Sequence, residues 1–222
     1  MTGSRLLRLL CRLAACGCAT GWLGTACAAP VEAVDDSGQT VRLAQPAARV
    51  VAIGPFLTEN LFAAGAGGTV VGVSRFSDWP AAAARLPVIG DFYHLDIERI
   101  AQLKPALIVA WRSGFPPAIF AKLRTLQIPV YYSDPHSFAD VATTLERLGV
   151  LTGHAEDGRH AADQLRRDVA ALDARQAGKR QVAVFYQAWS QPLMTLNRDH
   201  FISDMLRHCG GVNVFANAKL LV

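Results

Sequence analysis

At 222 residues, with 51% hydrophobic and 18% charged side chains, the chain has the composition of a globular protein of two modest domains, which excludes disordered and fibrous classes. Most of its formal charge of +4 comes from Arg5, Arg8 and Arg12, and no acid precedes Glu32, so the remainder is near neutral. A near-neutral body carries no electrostatic footprint for nucleic acid.

Residues 1–28 read as an export signal. The three arginines precede an uncharged run, 13–29, that closes on the small-residue pattern Ala26-Cys27-Ala28, so cleavage near Ala28 and a periplasmic location are expected. A membrane anchor is one alternative, but Gly17, Thr20, Gly21 and Gly24 interrupt the run, which falls short of the roughly 20 apolar residues of a span. A lipoprotein signal is another, on Leu13-Ala14-Ala15-Cys16, although Arg8 and Arg12 break the apolar stretch before it. Of five cysteines only Cys209 lies beyond this segment. In an oxidising compartment an unpaired cysteine raises the question of a partner.

After it, residues 31–43 read as a hairpin turning at Asp36-Ser37-Gly38. Residues 49–55 form a short apolar strand stopped by Gly54-Pro55, as for a strand buried on both faces. A helix follows, with Thr58 as its expected cap, Leu57, Leu61, Phe62 and Ala64 at helical spacing, and Gly65 and Gly67 at its end. Val70-Val71-Gly72-Val73 is the next strand. The order then repeats: helix 95–103, strand 106–111, helix 116–126 and strand 128–132. Such alternation implies an α/β fold, a parallel sheet flanked by helices. Ligands bind these sheets outside the carboxyl ends of the strands, which directs attention to Pro55 and Phe56, residues 74–79, Phe92 and Tyr93, and residues 111–115.

Helical text dominates next: 137–148 capped by Ser137, then a longer run, 155–175, with Ala161, Leu165, Val169 and Leu172 on one face. With no internal proline, the second is long enough to be a stiff spacer. A new strand opens at 182–186, and a helix from about 199 to 207 leads into residues 209–215. The organisation expected is a first lobe at 29–152, an interlobe helix at 153–178 and an incomplete second α/β lobe at 179–222. One strand and one helix with a short extension cannot cover a parallel sheet on both faces.

Three stretches carry a family resemblance. They are residues 50–59 with Ala63-Ala64-Gly65 and Val71-Gly72-Val73-Ser74; residues 96–109, opening Asp96-Ile97-Glu98-Arg99 and passing through Leu103-Lys104-Pro105; and Cys209-Gly210-Gly211-Val212-Asn213-Val214-Phe215. In this order and at these separations, the chain from about Arg49 onward resembles the periplasmic binding proteins for vitamin B12 (cobalamin) and iron siderophores that serve ABC importers. The resemblance implies two α/β lobes joined by one long helix, ligand held in the cleft between them, a monomeric binder, and a chain that continues past Val222 through the rest of the second lobe.

It also implies roles. The cobalamin binders of the family line their cleft with aromatic side chains, suited to a large, mostly apolar disc. Phe76 stands where they have a tyrosine, Phe92 where they have a tryptophan, Trp111 matches a tryptophan directly, and Met194 replaces an aromatic residue of the second lobe. Each could also be an ordinary core or rim residue, Trp111 less readily than the other three. Trp79, Tyr93, Phe115 and Trp189 are candidates by proximity. Glu98 matches a lobe-surface glutamate that pairs with arginines of the permease; its plainer role is favouring the helix dipole. Cys209 matches the first cysteine of a second-lobe disulfide whose partner this sequence lacks; it could also be a small buried hydrophobe.

Cobalamin is therefore the expected cargo. A ferric siderophore or haem is the alternative, because Arg75 and Arg112 adjoin the cleft and guanidinium groups suit exposed chelate oxygens. A different class, a non-transporting remnant or interaction protein, follows if the second lobe is never completed. No enzymatic activity and no resident cofactor are expected, since no nucleophile elbow, phosphate-binding loop or dinucleotide signature occurs. His94, His136, His154, His160, His200 and His208 show no metal-ligand spacing and read as surface residues.

Overall fold

The computed structural model describes residues 29–219. The expected signal, with its cleavage site and Cys16, lies outside the described residues. Strands β1 (Val31–Val34) and β2 (Thr40–Leu43) pair as the expected antiparallel hairpin. Its turn is closed by Asp35, whose Oδ1 accepts from the amides of Ser37 and Gln39 and from the Ser37 hydroxyl.

Four parallel strands follow: β3 (Val50–Ile53), β4 (Val70–Val73), β5 (Leu107–Trp111) and β6 (Val130–Ser133), in the spatial order β4-β3-β5-β6. The period of two in a strand divides their side chains between two cores. Val50, Ala52, Leu107 and Val109 face one cluster with Leu57, Leu61, Leu145 and Leu148, while Val51, Ile53, Ile108 and Ala110 face another with Ile100, Ile119, Phe120 and Leu123. Helices α1 (Pro55–Ala63) and α4 (Phe138–Thr152) cover the first face; α2 (Ile97–Gln102) and α3 (Pro117–Arg124) cover the second.

Ser137 caps α4 as expected, its Oγ accepting the Asp140 amide at 3.1 Å. Thr58 does not cap α1. Pro55 already supplies the φ of a first helical residue, so the helix starts directly at the strand end with Gly54 as its cap. Thr58 is instead buried inside the helix, where its hydroxyl donates to Ser77 Oγ at 3.1 Å and ties α1 to the loop after β4.

The long helix α5 (Ala155–Gln176) has 22 residues, about 33 Å at 1.5 Å per residue. Ala161, Leu165, Val169 and Leu172 are half-buried, the face anticipated from their spacing. It folds back on α4 through a glycine crossing: a Cβ on Gly158 would stand 2.6 Å from the Leu145 carbonyl oxygen and 3.0 Å from Gly149 Cα. Only hydrogen fits between these backbones.

Beyond α5, β7 (Val182–Val184) and β10 (Gly211–Asn213) form a parallel pair connected through α6 (Phe201–His208). The sequence predicts only the first of these strands, and it gives no sign of the small antiparallel hairpin of β8 (Trp189–Ser190) and β9 (Leu193–Met194). Among the described residues no helix is long and apolar enough to cross a membrane.

Candidate functional site

The carboxyl ends of β3, β5 and β6 meet the start of α6 around a cavity of about 420 Å³. Phe56, Trp111, Pro135, Val141 and Phe201 give it apolar walls, and Asn60, Ser113, Asp134, His136 and His200 supply its polar groups. First-lobe and second-lobe residues thus share one cleft, at the place where parallel sheets bind ligands.

Of Phe76, Phe92, Trp111 and Met194, Trp111 lines this cavity, with Phe56 and Ser113 from the strand ends singled out in the sequence. It ends β5, meets Phe56 edge-on with ring centroids 5.6 Å apart, and donates from Nε1 to Asp134 Oδ1 at 3.2 Å. Ser113 Oγ donates to the same oxygen at 2.5 Å. Gly114 lets the indole lie flat on the backbone: a Cβ there would fall 2.0 Å from a ring carbon. The ring is therefore held on its edge, its face and its nitrogen.

Phe92 and Phe76 stand outside that cavity, on two loops tied to each other. Phe92 packs on Phe115 at 5.6 Å and on Tyr93 at 5.3 Å, and Phe115 directly follows the glycine beneath Trp111. The Arg75 amide donates to the Gly90 carbonyl at 2.8 Å, and the Arg75 guanidinium reaches Asp91 at 3.8 Å, so the loops bearing Phe76 and Phe92 are stitched together. The Asp91 carboxylate is held below its usual range by amide hydrogen bonds from His94 and Tyr93. Phe76 is 76% exposed at φ 69, a left-handed conformation uncommon for a bulky residue. Met194, half-buried in β9 and paired with Trp189 across the hairpin, is not among the cavity's wall residues.

Glu98 is exposed in the first turn of α2 and forms no ion pair among the described residues. Cys209 is exposed at the end of α6 and forms no disulfide among the described residues, so it is not a buried hydrophobe. Arg112 is exposed beside Trp111, its amide donating to the Ser133 carbonyl at 3.0 Å.

The histidines require a correction, since His208 is buried. Its Nδ1 lies 2.7 Å from Asp173 on α5, its Nε2 3.5 Å from Asp204, and its ring against Phe138. Charged neighbours on two helices make burial of its imidazole tolerable; Asp204 is one helical turn away, but no spacing rule reveals Asp173, 35 residues distant. His136 is exposed, as read, and His200 is half-buried, and both line the cavity. His136 Nδ1 is 2.6 Å from the carbonyl oxygen of Asp199, whereas His200 caps α6, its Nδ1 accepting the Ile202 amide at 3.1 Å. Burial, and then the field of His136, push the His200 imidazole below its usual range against the opposing charge of Asp134. Extending the strand-end rule to the close of β6 would have found Asp134 and His136. Asn60 is buried at the wall, and among the described residues its Nδ2 has no partner.

The end of β6 is set by the N-terminal hairpin. Asp36 Oδ2 accepts the Asp134 amide at 2.7 Å and its Oδ1 accepts from Arg147 at 2.9 Å, while its own amide donates to the Tyr132 carbonyl. Among the described residues no group of acidic, histidine and cysteine side chains is arranged to hold a metal ion.

Residues 50–220 match the family model described as periplasmic binding protein. The chain belongs to that family. Within it, the chain is 38% identical over 177 residues to the vitamin B12-binding protein of Yersinia pestis, a match covering 80% of this chain and 63% of that protein. In structure it is similar to the periplasmic vitamin B12 binding protein of Vibrio cholerae, with a TM-score of 0.72 and 36% identity over 79% of this chain and 69% of that one. It is also similar to the periplasmic heme-binding protein of Roseiflexus sp. RS-1 in apo form, with a TM-score of 0.66 and 26% identity over 78% of this chain and 68% of that one. The chain spans about 63% of the length of the curated relatives it matches. Family membership bears out the expected parallel α/β architecture.

Proposed function

We propose that this chain is the cargo-binding part of a periplasmic capture protein for cobalamin, acting without covalent chemistry and delivering its guest to an ABC importer permease. The carrying observation is the aromatic content of the strand-end loops: the Phe56–Trp111 pair in the cavity wall, the Phe92–Phe115 pair, and exposed Phe76 on a loop tied to that of Phe92. Flat apolar side chains around a cleft with few charges fit a broad macrocycle whose own charge is small. The vitamin B12-binding relatives support the same choice. Phe76, Phe92 and Trp111 would contact the ring from the first lobe, and Met194 from the second.

Titration of the purified chain with cyanocobalamin tests this. Saturable quenching of tryptophan fluorescence is expected, with a loss of affinity of about tenfold or more in Trp111→Ala; no saturable change would remove cobalamin as the cargo.

A haem or ferric chelate is the second reading, favoured by Arg112 at the cleft edge and by the heme-binding relative. Arg75 counts less, since it already faces Asp91. Selective loss of haemin binding in Arg112→Gln, with cyanocobalamin binding intact, would establish that a chelate also enters. A docking role for Glu98 predicts that Glu98→Lys leaves cargo affinity unchanged while weakening association with permease-containing vesicles at low salt by a few-fold.

A further inference from the structure

The two cavity histidines are fixed in opposite tautomers by main-chain groups. A carbonyl oxygen can only accept, so His136 Nδ1, 2.6 Å from the Asp199 carbonyl, carries the proton, and the Nε2 of the neutral ring is left with its lone pair. An amide N–H can only donate, so His200 Nδ1, which accepts from Ile202, is bare, and the proton of the neutral ring is on Nε2. Neither Nε2 has a hydrogen-bond partner among the described residues. Both rings line the same cavity, and they are anchored one residue apart, because Asp199 immediately precedes His200.

We infer that His136 and His200 form an acceptor–donor pair that selects a primary carboxamide on the cargo against a carboxylate. A carboxamide offers N–H to His136 and C=O to His200 from one carbon atom. A carboxylate offers acceptors only, so one of its oxygens would meet the His136 lone pair, with the Asp134 carboxylate in the same wall adding repulsion. The lowered pKa of His200 keeps that ring in the neutral form on which the pairing depends. Cargo that fills the cavity displaces water from both Nε2 atoms, and the wrong group then leaves one of them unpaired. This rests on the cobalamin reading and sharpens it: the corrin periphery is rich in carboxamides, whereas haem carries carboxylates.

The test compares cyanocobalamin with its separated monocarboxylic acids, in each of which one side-chain amide has been hydrolysed, by calorimetric titration of the 222-residue chain. At least one monoacid should bind about tenfold more weakly than the parent. His136→Lys exchanges the acceptor for a cation and should bring that ratio to one or below. His200→Ser keeps a hydroxyl to cap α6 but removes the cavity donor, and should weaken cyanocobalamin by about three- to tenfold with the circular dichroism spectrum unchanged. Tight cyanocobalamin binding with monoacid ratios unaltered in His136→Lys would overturn the inference and leave the cargo reading standing. No binding of cyanocobalamin by the unmodified chain would overturn both.

Discussion

The parallel strands before α5 and those after it open with nearly the same words. Val-Val-Ala-Ile in β3 and Val-Ala-Val in β7 are both short β-branched runs, yet all of β3 is buried while β7 is mostly exposed. The difference is in what surrounds them. β3 has neighbours on both edges and helices on both faces, whereas β7 has one described neighbour, β10, and Val182, Phe185, Val212 and Phe215 remain exposed. Strand text specifies an extended segment, and the elements packed against it decide how much that segment contributes to stability.

The contrast breaks most visibly under truncation of core side chains. Ile108→Ala empties space in a fully buried sheet face and should cost about 2–5 kcal/mol, whereas Val182→Ala should change stability by about 0.5 kcal/mol or less. Urea unfolding followed by circular dichroism reads both, and equal losses would show that the second region is covered in solution.

The glycine crossing ranks next. Gly158→Val would drive a side chain into the α4 backbone and should destabilise by about 1–3 kcal/mol, while Gly178→Ala, in open space at positive φ, should cost about 1 kcal/mol. If the two substitutions cost the same, α4 and α5 are not in contact as described.

A smaller effect is linked to pH. Burial would raise the Asp204 carboxyl, but the Phe138 amide, the Arg207 guanidinium and His208 outweigh it and hold it below its usual range. Its stabilising contribution is complete above the unfolded value of about 3.9 and is lost as pH falls through the lower folded value. Amide exchange in residues 201–213 should accelerate by a few-fold relative to the first lobe below about pH 4. Asp204→Asn should abolish that relative change; its persistence would assign the acid sensitivity to another group.

Much of the first lobe was legible. Apolar runs stopped by Gly54-Pro55 and Lys104-Pro105 mark strand ends and helix breaks with local chemistry, and Ser137 announces its helix by the same means. Where two local signals competed the reading went astray, as when Thr58 seemed a cap although Pro55 had already started the helix. The β8–β9 hairpin was invisible because two-residue strands have no periodicity to detect. In the site, Trp111 could be found because it ends a recognisable strand. His136 lies within reach of the same rule, but its tautomer depends on a carbonyl 63 residues away, and the role of His200 depends on a helix cap. His208 escaped for a similar reason, its partner Asp173 being 35 residues distant.

The aspartate-rich turn of the first hairpin has a consequence for the order of assembly. Asp36 grips the amide of a residue 98 positions downstream, so the corner of the cleft is a long-range closure that waits for most of the lobe to be in place. A chain delivered amino end first would present this turn early and find its mate late. Removing Asp36 should therefore leave the sheet standing while the guest-facing corner at Asp134 and His136 loses its register.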